Sequence, residues 1–400
     1  MREEMKKVPR IRFRGFQEDW ELCKFERIVE KLKSYSLSRE VETNEFTGMK
    51  YIHYGDIHTK KADKVSENSN IPNIIKKNYA LLEIGDLILT DASEDYKGIA
   101  TPAVIRENTS FDIVAGLHTI ALRPKNIDPM FLYYLIKAPT FRKYGYKVGT
   151  GMKVFGISSS KVLDFTTYIP KNDETKLVSS FLEKIDYALD LHQRKLDQLK
   201  ELKKAYLQLM FPVKDERVPK LRFADFEEEW EQCKLEDLAN KYNNLRIPIT
   251  ASKRIYGNTP YYGANGIQDF VEGYTHDGEF ILVAEDGASN LKDYPVQYVN
   301  GKVWVNNHAH VLQAKRSKAD NKFLMNAIKS INIEPFLVGG GRSKLNSEVM
   351  MNLEINTPSK DEQLKISTLC KQLDDITALY QNKLNQLKNL KKSYLQNMFI

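Results

Sequence analysis

Two stretches of the chain carry apolar residues at alternating spacings of three and four on a polar background. The first, Asp173 to Met210, sets Leu182, Ile185, Leu189, His192, Leu196, Leu199, Leu202, Tyr206 and Leu209 on one stripe. The second, Asp361 to Met398, sets out Leu373, Ile376, Tyr380, Leu384, Leu387, Leu390 and Tyr394. A period near 3.5 is that of a coiled-coil seam, and the first stripe contains one stammer. Both stretches follow a proline and open with Asp-Glu (Asp173-Glu174 and Asp361-Glu362), where carboxylates favour the positive end of the helix dipole. Lys203-Lys204 and Lys391-Lys392 sit near the other ends. At 1.5 Å per residue each helix is roughly 55–60 Å long. A stripe of that length needs a partner, and the stripe of matching length is the other one. The pattern predicts an antiparallel pair, with Leu182, Ile185, Leu189, Leu196 and Leu199 facing Leu373, Ile376, Leu384 and Leu387.

Between the helical stretches the pattern shortens to β-like runs separated by Gly, Asp, Asn and Ser. The first region holds Tyr51–Tyr54, Asp86–Thr90, Ile113-Val114 and Thr119–Leu122, then a helical segment near Met130–Ala138. The second holds Phe280–Val283, Val303–Val305 and the segment Phe323–Ile328 in the same order. The repetition extends to individual residues. Val8-Pro9-Arg10-Ile11-Arg12-Phe13, Phe16, Trp20-Glu21, Cys23-Lys24 and Glu26 return as Val218-Pro219-Lys220-Leu221-Arg222-Phe223, Phe226, Trp230-Glu231, Cys233-Lys234 and Glu236, 210 residues later. The helix ends, Leu199-Lys200-x-Leu202-Lys203-Lys204-x-Tyr206-Leu207-Gln208-x-Met210-Phe211, recur 188 residues later as Leu387 to Phe399. In the interiors Gly85-Asp86-Leu87 aligns with Gly278-Glu279-Phe280, His118 with His308, and Gly149-Thr150-Gly151 with Gly339-Gly340-Gly341. The chain reads as two copies of one unit with divergent middles. Four segments are expected: modules at 1–170 and 213–358, and helices at 171–212 and 359–400.

Composition narrows the chemistry. With 42% hydrophobic, 10% aromatic and 28% charged residues the chain is an ordinary folded one, and its net charge of +7 permits a polyanionic partner. The three cysteines form no CxxC, and Cys23 and Cys233 are equivalent positions, which suits a reducing cytoplasm. No signal peptide or membrane span is expected. Gly339 to Lys344 lacks the spacing of a phosphate loop. Asn258-Thr259-Pro260-Tyr261 is similar to the Asn-Pro-Pro-Tyr box that holds a flipped adenine, but a proline is missing and no glycine-rich cofactor loop precedes it. His308-x-His310 has no third ligand nearby, so no metal is expected, and no nucleophilic triad is visible. His118 and His308 read as satisfied structural residues, and Trp20 and Trp230 as core anchors.

Base readout needs donors and acceptors projected from turns. The first module offers Ser93, Tyr96, Lys97 and Lys153; the second offers Ser289, Asn290, Lys292, Asn306, Asn307, Arg342 and Lys344. Glu94-Asp95 and Glu285-Asp286 lie among them, and carboxylates repel phosphate.

With the duplication, the divergent modules and the paired stripes in hand, the chain resembles the DNA-specificity subunit of type I restriction–modification systems. The resemblance rests on Val-Pro-x-x-Arg-Phe-x-x-Phe-x-x-x-Trp-Glu opening each half, on Tyr261-Tyr262-Gly263-Ala264-Asn265-Gly266-Ile267, and on the repeated helix ends. It implies an α+β fold: two homologous α/β target-recognition domains joined by two long antiparallel coiled-coil helices, pseudo-twofold symmetric and circularly organised. It implies a non-catalytic chain that reads one half of an asymmetric bipartite site with each domain. Double-stranded DNA, two modification subunits and restriction subunits are the implied partners. S-adenosylmethionine, ATP and magnesium are expected on those subunits and no cofactor on this chain. A coiled-coil adaptor without DNA readout and an adenine methyltransferase are the alternatives.

Overall fold

Each stripe forms one continuous helix of 38 residues, Asn172–Leu209 and Lys360–Asn397. The computed structural model describes residues 7–151, 153–213, 216–339 and 343–400. Packing divides the chain midway along both helices: one unit runs to His192 and resumes at Lys383, and the other is Gln193–Asn382. Each unit thus combines one module with half of each helix, a different partition from four consecutive segments.

Within each unit the helix halves run antiparallel. In the first, Phe181 meets Tyr394 edge-on at 4.8 Å and Asp186 accepts from Lys391. In the second, Lys203 reaches Asp374 at 2.5 Å, and Tyr206, Leu207 and Met210 share a core with Ile366, Leu369 and Cys370.

The seam departs from the expected one at four positions, Leu202, Leu209, Ile376 and Leu390, the last of them 44% exposed. Buried or half-buried positions along the first helix include Val178, Leu182, Ile185, Leu189, His192, Leu196, Leu199, Lys203 and Tyr206. These spacings alternate strictly between four and three, so the expected stammer is absent. Leu202 and Leu209 are instead 43% and 40% exposed. On the second helix the buried and half-buried series runs Ile366, Cys370, Leu373, Thr377, Tyr380, Leu384, Leu387, and Ile376 is 41% exposed. A 3.5-residue period from Leu373 lands on Thr377, and helix geometry overrides the attraction of the apolar neighbour. Thr377 satisfies its hydroxyl by donating to the Leu373 carbonyl at 2.7 Å.

The modules share a sheet. In the first it runs Val29–Lys31, Thr119–Pro124, Leu87–Thr90, Pro102–Ile105, Lys64–Val65, antiparallel except for the last pair. In the second it runs Ala239–Lys241, Ala309–Ala314, His276–Ala284, Val296–Val305, Tyr256–Gly263, Gly266–Val271. The first four strands correspond in order. Leu122 lies opposite Lys31 and Leu87, and Leu312 opposite Lys241 and Ile281. Leu87 and Leu89 enter one main core, Ile281 and Val283 the other, while Phe280 and Leu282 belong to a separate cluster. The alignment of Leu87 with Phe280 is therefore one residue out of register, and in a strand one residue reverses the face. A helix caps each sheet. Pro129–Lys137 starts from Asp128, whose carboxylate accepts from Phe131 N, and Asn321–Ser330 starts from Asp320 in the same way. Outside the common strands the modules diverge. The first adds a four-stranded sheet built on Met49–Ile52, and the second extends the hairpin Tyr256–Gly263/Gly266–Val271.

The repeated opening motif is a clamp. Arg12 holds both oxygens of Glu174 at 2.7 and 2.8 Å, and Arg222 holds both of Glu362 at 2.8 Å. Trp20 and Trp230 are buried, and their backbone N–H groups donate to Lys7 and Arg217 carbonyls. Glu21–Lys24 pairs with Thr166–Ile169, and Glu231–Lys234 with Glu354–Thr357. Ile11 N donates to the Asn397 carbonyl at 2.9 Å, just as Leu221 N donates to that of Leu209 at 2.9 Å. The chain's opening motif therefore docks on the end of the second helix as the second opening motif docks on the end of the first.

Candidate nucleic-acid interface

In the first unit the reader candidates gather around one end of the helix Pro139–Val148. The strand Ala92–Ser93 pairs with Phe155–Gly156, which brings the turn containing Lys153 beside the turn containing Tyr96 and Lys97. Tyr96 packs against Tyr146 and Phe155 at 5.0 and 4.9 Å, and its hydroxyl donates to the Tyr146 carbonyl. Arg142 ties the turn down by donating to the carbonyls of Lys97 and Ile99. Lys97 and Lys153 are exposed. Ser93 is buried, and its hydroxyl accepts from Asp95 N at 3.2 Å, so it shapes the turn and does not face solvent. Lys143 and Lys147, both exposed on the same helix, join this basic surface. Their i, i+4 spacing just before Gly149-Thr150-Gly151 is the sequence signal that would have found them.

In the second unit the candidates gather around Glu285-Asp286. Asn265 organises one loop: its amide nitrogen donates to the Gly287 carbonyl at 2.9 Å and its oxygen accepts from Ser289 N at 2.7 Å. Asn290 accepts from Lys292 N and Asp293 N in a side-chain-closed turn. Ser289, Asn290, Lys292, Asn307 and Lys344 are exposed. Asn306 is buried, with its oxygen accepting from His308 N at 2.8 Å, so it too is a scaffold residue. Gly340, Gly341 and Arg342 lie outside the described residues.

Glu285 is matched by two cations, Arg246 at 2.6 Å and Lys344 at 3.0 Å. Burial pushes its carboxyl up, but hydrogen bonds from Arg246 and Lys344 and the nearby His310 outweigh this and hold it below the ordinary range. Asp286 accepts from His308 at 2.5 Å, and Asp91 from His118 at 3.0 Å, the same pairing in both units. Arg246, which also donates to the Ala309 carbonyl, was not legible as a site residue because its partners lie 39 and 63 residues away.

Other chemistry finds no support. The Tyr261 ring is buried and its hydroxyl is committed to Ile249, so the segment from Asn258 offers no aromatic face to a flipped base. His310 is buried, its ring nitrogens engaged by Asn243 and the Leu345 carbonyl, and desolvation favours its neutral form. Among the described residues no three His, Cys, Asp or Glu side chains could hold a metal, and no helix is long and apolar enough to cross a membrane.

The chain matches a known family model, the type I restriction modification DNA specificity domain, over residues 17–201 and again over 227–389. The chain belongs to this specificity family. A Haemophilus influenzae chain assigned as a type I restriction enzyme specificity subunit is 46% identical over 153 residues, 38% of each protein's length. The Escherichia coli type I restriction enzyme EcoprrI specificity subunit is 25% identical over 139 residues, 34% of this chain and 32% of that one. The aligned segments thus span about a third of these relatives. The fold is that of the crystallised S subunit from M. genitalium, with a TM-score of 0.67 over 98% of this chain and 99% of that one at 14% identity. A chain from a structural study of complex assembly in the type I system matches with a TM-score of 0.55 over 94% and 96% at 14% identity.

Proposed function

We propose that this specificity-family chain is a non-catalytic, sequence-specific reader of double-stranded DNA within a type I restriction–modification complex. Each module reads one half of a bipartite site. The observation that carries this reading is the pairing of one scaffold with two unlike loop sets at the same place. The Tyr96–Lys97 and Lys153 turns with Lys143 and Lys147 form one reader, and the Ser289–Lys292, Asn307 and Lys344 loops form the other. Unlike readers specify an asymmetric site, where identical ones would specify a palindrome. Exposed lysines supply the phosphate attraction, and Asn and Ser groups in the loops supply base contacts. Glu285, paired with Arg246 and Lys344, repels phosphate less than a bare carboxylate would.

The helix pair sets the separation of the half-sites and docks two modification subunits, with restriction subunits completing the assembly. S-adenosylmethionine, ATP and magnesium belong to those partners, and this chain binds none of them for catalysis. Three free cysteines fit a cytoplasmic setting. The test is DNA affinity measured across a salt series. A reader predicts a steep linear fall of log affinity with log salt, made shallower by removing Lys97, Lys153 or Lys292. A salt-independent interaction would reject it.

A further inference from the structure

The capping helices of the two units correspond residue by residue: Tyr133 to Met325, Tyr134 to Asn326 and Lys137 to Lys329. Their surroundings correspond as well. Phe131 packs on Phe399 at 5.3 Å in one unit, and Phe323 on Phe211 at 5.6 Å in the other. In the first unit every charge at the junction of capping helix and long helices has a partner. Lys137 binds Asp63 at 2.8 Å, and Tyr133 donates to the same carboxylate. Asp186 accepts from Tyr134 and Lys64, each at 2.7 Å, and from Lys391.

The second unit keeps only part of this network. Asp374 and Lys203, the counterparts of Asp186 and Lys391, still pair at 2.5 Å. Both tyrosines are gone, and no counterpart of Asp63 reaches Lys329, which has no ion pair among the described residues. The Asn326 side chain is 1% exposed; its nitrogen donates to the Lys322 carbonyl at 2.9 Å, and its buried oxygen has no partner. Beside it lies a cavity of about 500 Å³ lined by Lys203, Lys322, Lys329, Lys371, Asn326 and Tyr298. Lys203 and Lys371 are matched by Asp374 and Asp375. Lys322 lies over the Tyr298 ring at 5.0 Å, and among the described residues neither it nor Lys329 forms an ion pair, although Asp293 and Asp374 attract Lys329 from a distance.

An unmatched half-buried ammonium and an orphaned buried acceptor both cost stability unless something completes them. The completing molecule needs two negative charges and an N–H donor, in a volume within the range of small-ligand sites. A phosphate monoester carries roughly −1.5 to −2 charge near neutral pH and offers three acceptor oxygens, whereas one carboxylate carries a single charge. A nucleobase supplies the N–H. We propose that this cavity of the second unit binds a nucleoside phosphate, its phosphate held by Lys322 and Lys329 and a base N–H donated to the Asn326 oxygen. The site is separate from the DNA-reading loops and does not depend on that reading. Burial, followed by the repulsion of Lys203, outweighs the attraction of Asp293 and Asp374 and lowers the Lys329 pKa, a cost that a bound anion would relieve.

Calorimetric titration of the full chain with AMP tests it, with inorganic phosphate as the comparison. One saturable site is expected, weakened about tenfold or more by Lys329→Met and by Asn326→Leu, the scale of a lost charged hydrogen bond. The double change Met325→Tyr with Asn326→Tyr, which imports the first unit's tyrosines, should abolish it, and Lys153→Met should leave it unchanged. Thermal unfolding checks the fold, and Lys329→Met should melt no lower than the parent because it removes an unmatched charge. No saturable AMP binding up to about 10 mM, near the weak end of the affinity scale, overturns the proposal. So does equal affinity for inorganic phosphate, or undiminished binding by folded Lys329→Met and Asn326→Leu variants.

Discussion

Arg12 and Arg222 each hold a carboxylate that is almost wholly buried at the start of a long helix, with Glu174 and Glu362 both 1% exposed. Breaking such a pair leaves a buried charge without compensation. Arg222→Met should therefore lower stability by about 3–5 kcal/mol, and adding Glu362→Leu should restore most of it. Denaturant unfolding of the single and double variants reads both values. Glu285 gives a pH prediction. Its folded pKa is depressed below the ordinary 4.5. The stabilisation is therefore complete above that value and is lost as pH falls through the lower, folded one. A Glu285→Gln variant should be less stable at neutral pH and should lose the part of the acid limb below about pH 4.5 that the parent owes to this group; an identical acid limb in both would refute the assignment. At this scale the sequence displayed the repeated arginines but not their partners, 162 and 140 residues away. It likewise put Ser93 and Asn306 in turns without revealing that their side chains close those turns from inside.

Helices and strands were far more legible, because periodicity is a local signal. Both long helices, the capping helices and the central strands lie where the apolar pattern placed them, but the run Tyr51–Tyr54 is a strand only to Ile52, and Tyr54 opens the short helix Tyr54–His58 capped by His53. The seam errors came from preferring the more apolar of two adjacent residues. Leu202 and Ile376 looked like seam positions, while the 3.5-residue period selects Lys203 and Thr377. The same habit slid Phe280 onto Leu87, since a continuous apolar strand gives no alternation to fix its register. The seam assignment is testable by paired substitutions. Leu373→Ala should cost about 2–5 kcal/mol as a buried truncation. Ile376→Ala, three positions further on and exposed, should fall within about 0.5 kcal/mol of the parent. Thermal melts of the two variants distinguish them, and equal losses would return Ile376 to the seam.

For the whole molecule, the matching hydrogen bonds Ile11–Asn397 and Leu221–Leu209 make the chain's own ends equivalent to the two sides of its internal linker. A circular permutant opened between Phe211 and Val218, with Phe399 joined to Val8 by a linker of similar length, should fold and keep its target. Loss of folding in that permutant would contradict the equivalence. At this scale the sequence was legible as architecture and not as contacts: duplication announced two homologous modules, while their divergent loops concealed what each would contact. The most direct test of two independent readers is sequencing of methylated sites in cells that express the chain with modification subunits, before and after residues 32–170 are exchanged for another member's equivalent. The account predicts one asymmetric bipartite site whose exchange variant differs in a single half, with the other half and the spacing retained. Changes in both halves, or a single uninterrupted site, would contradict it.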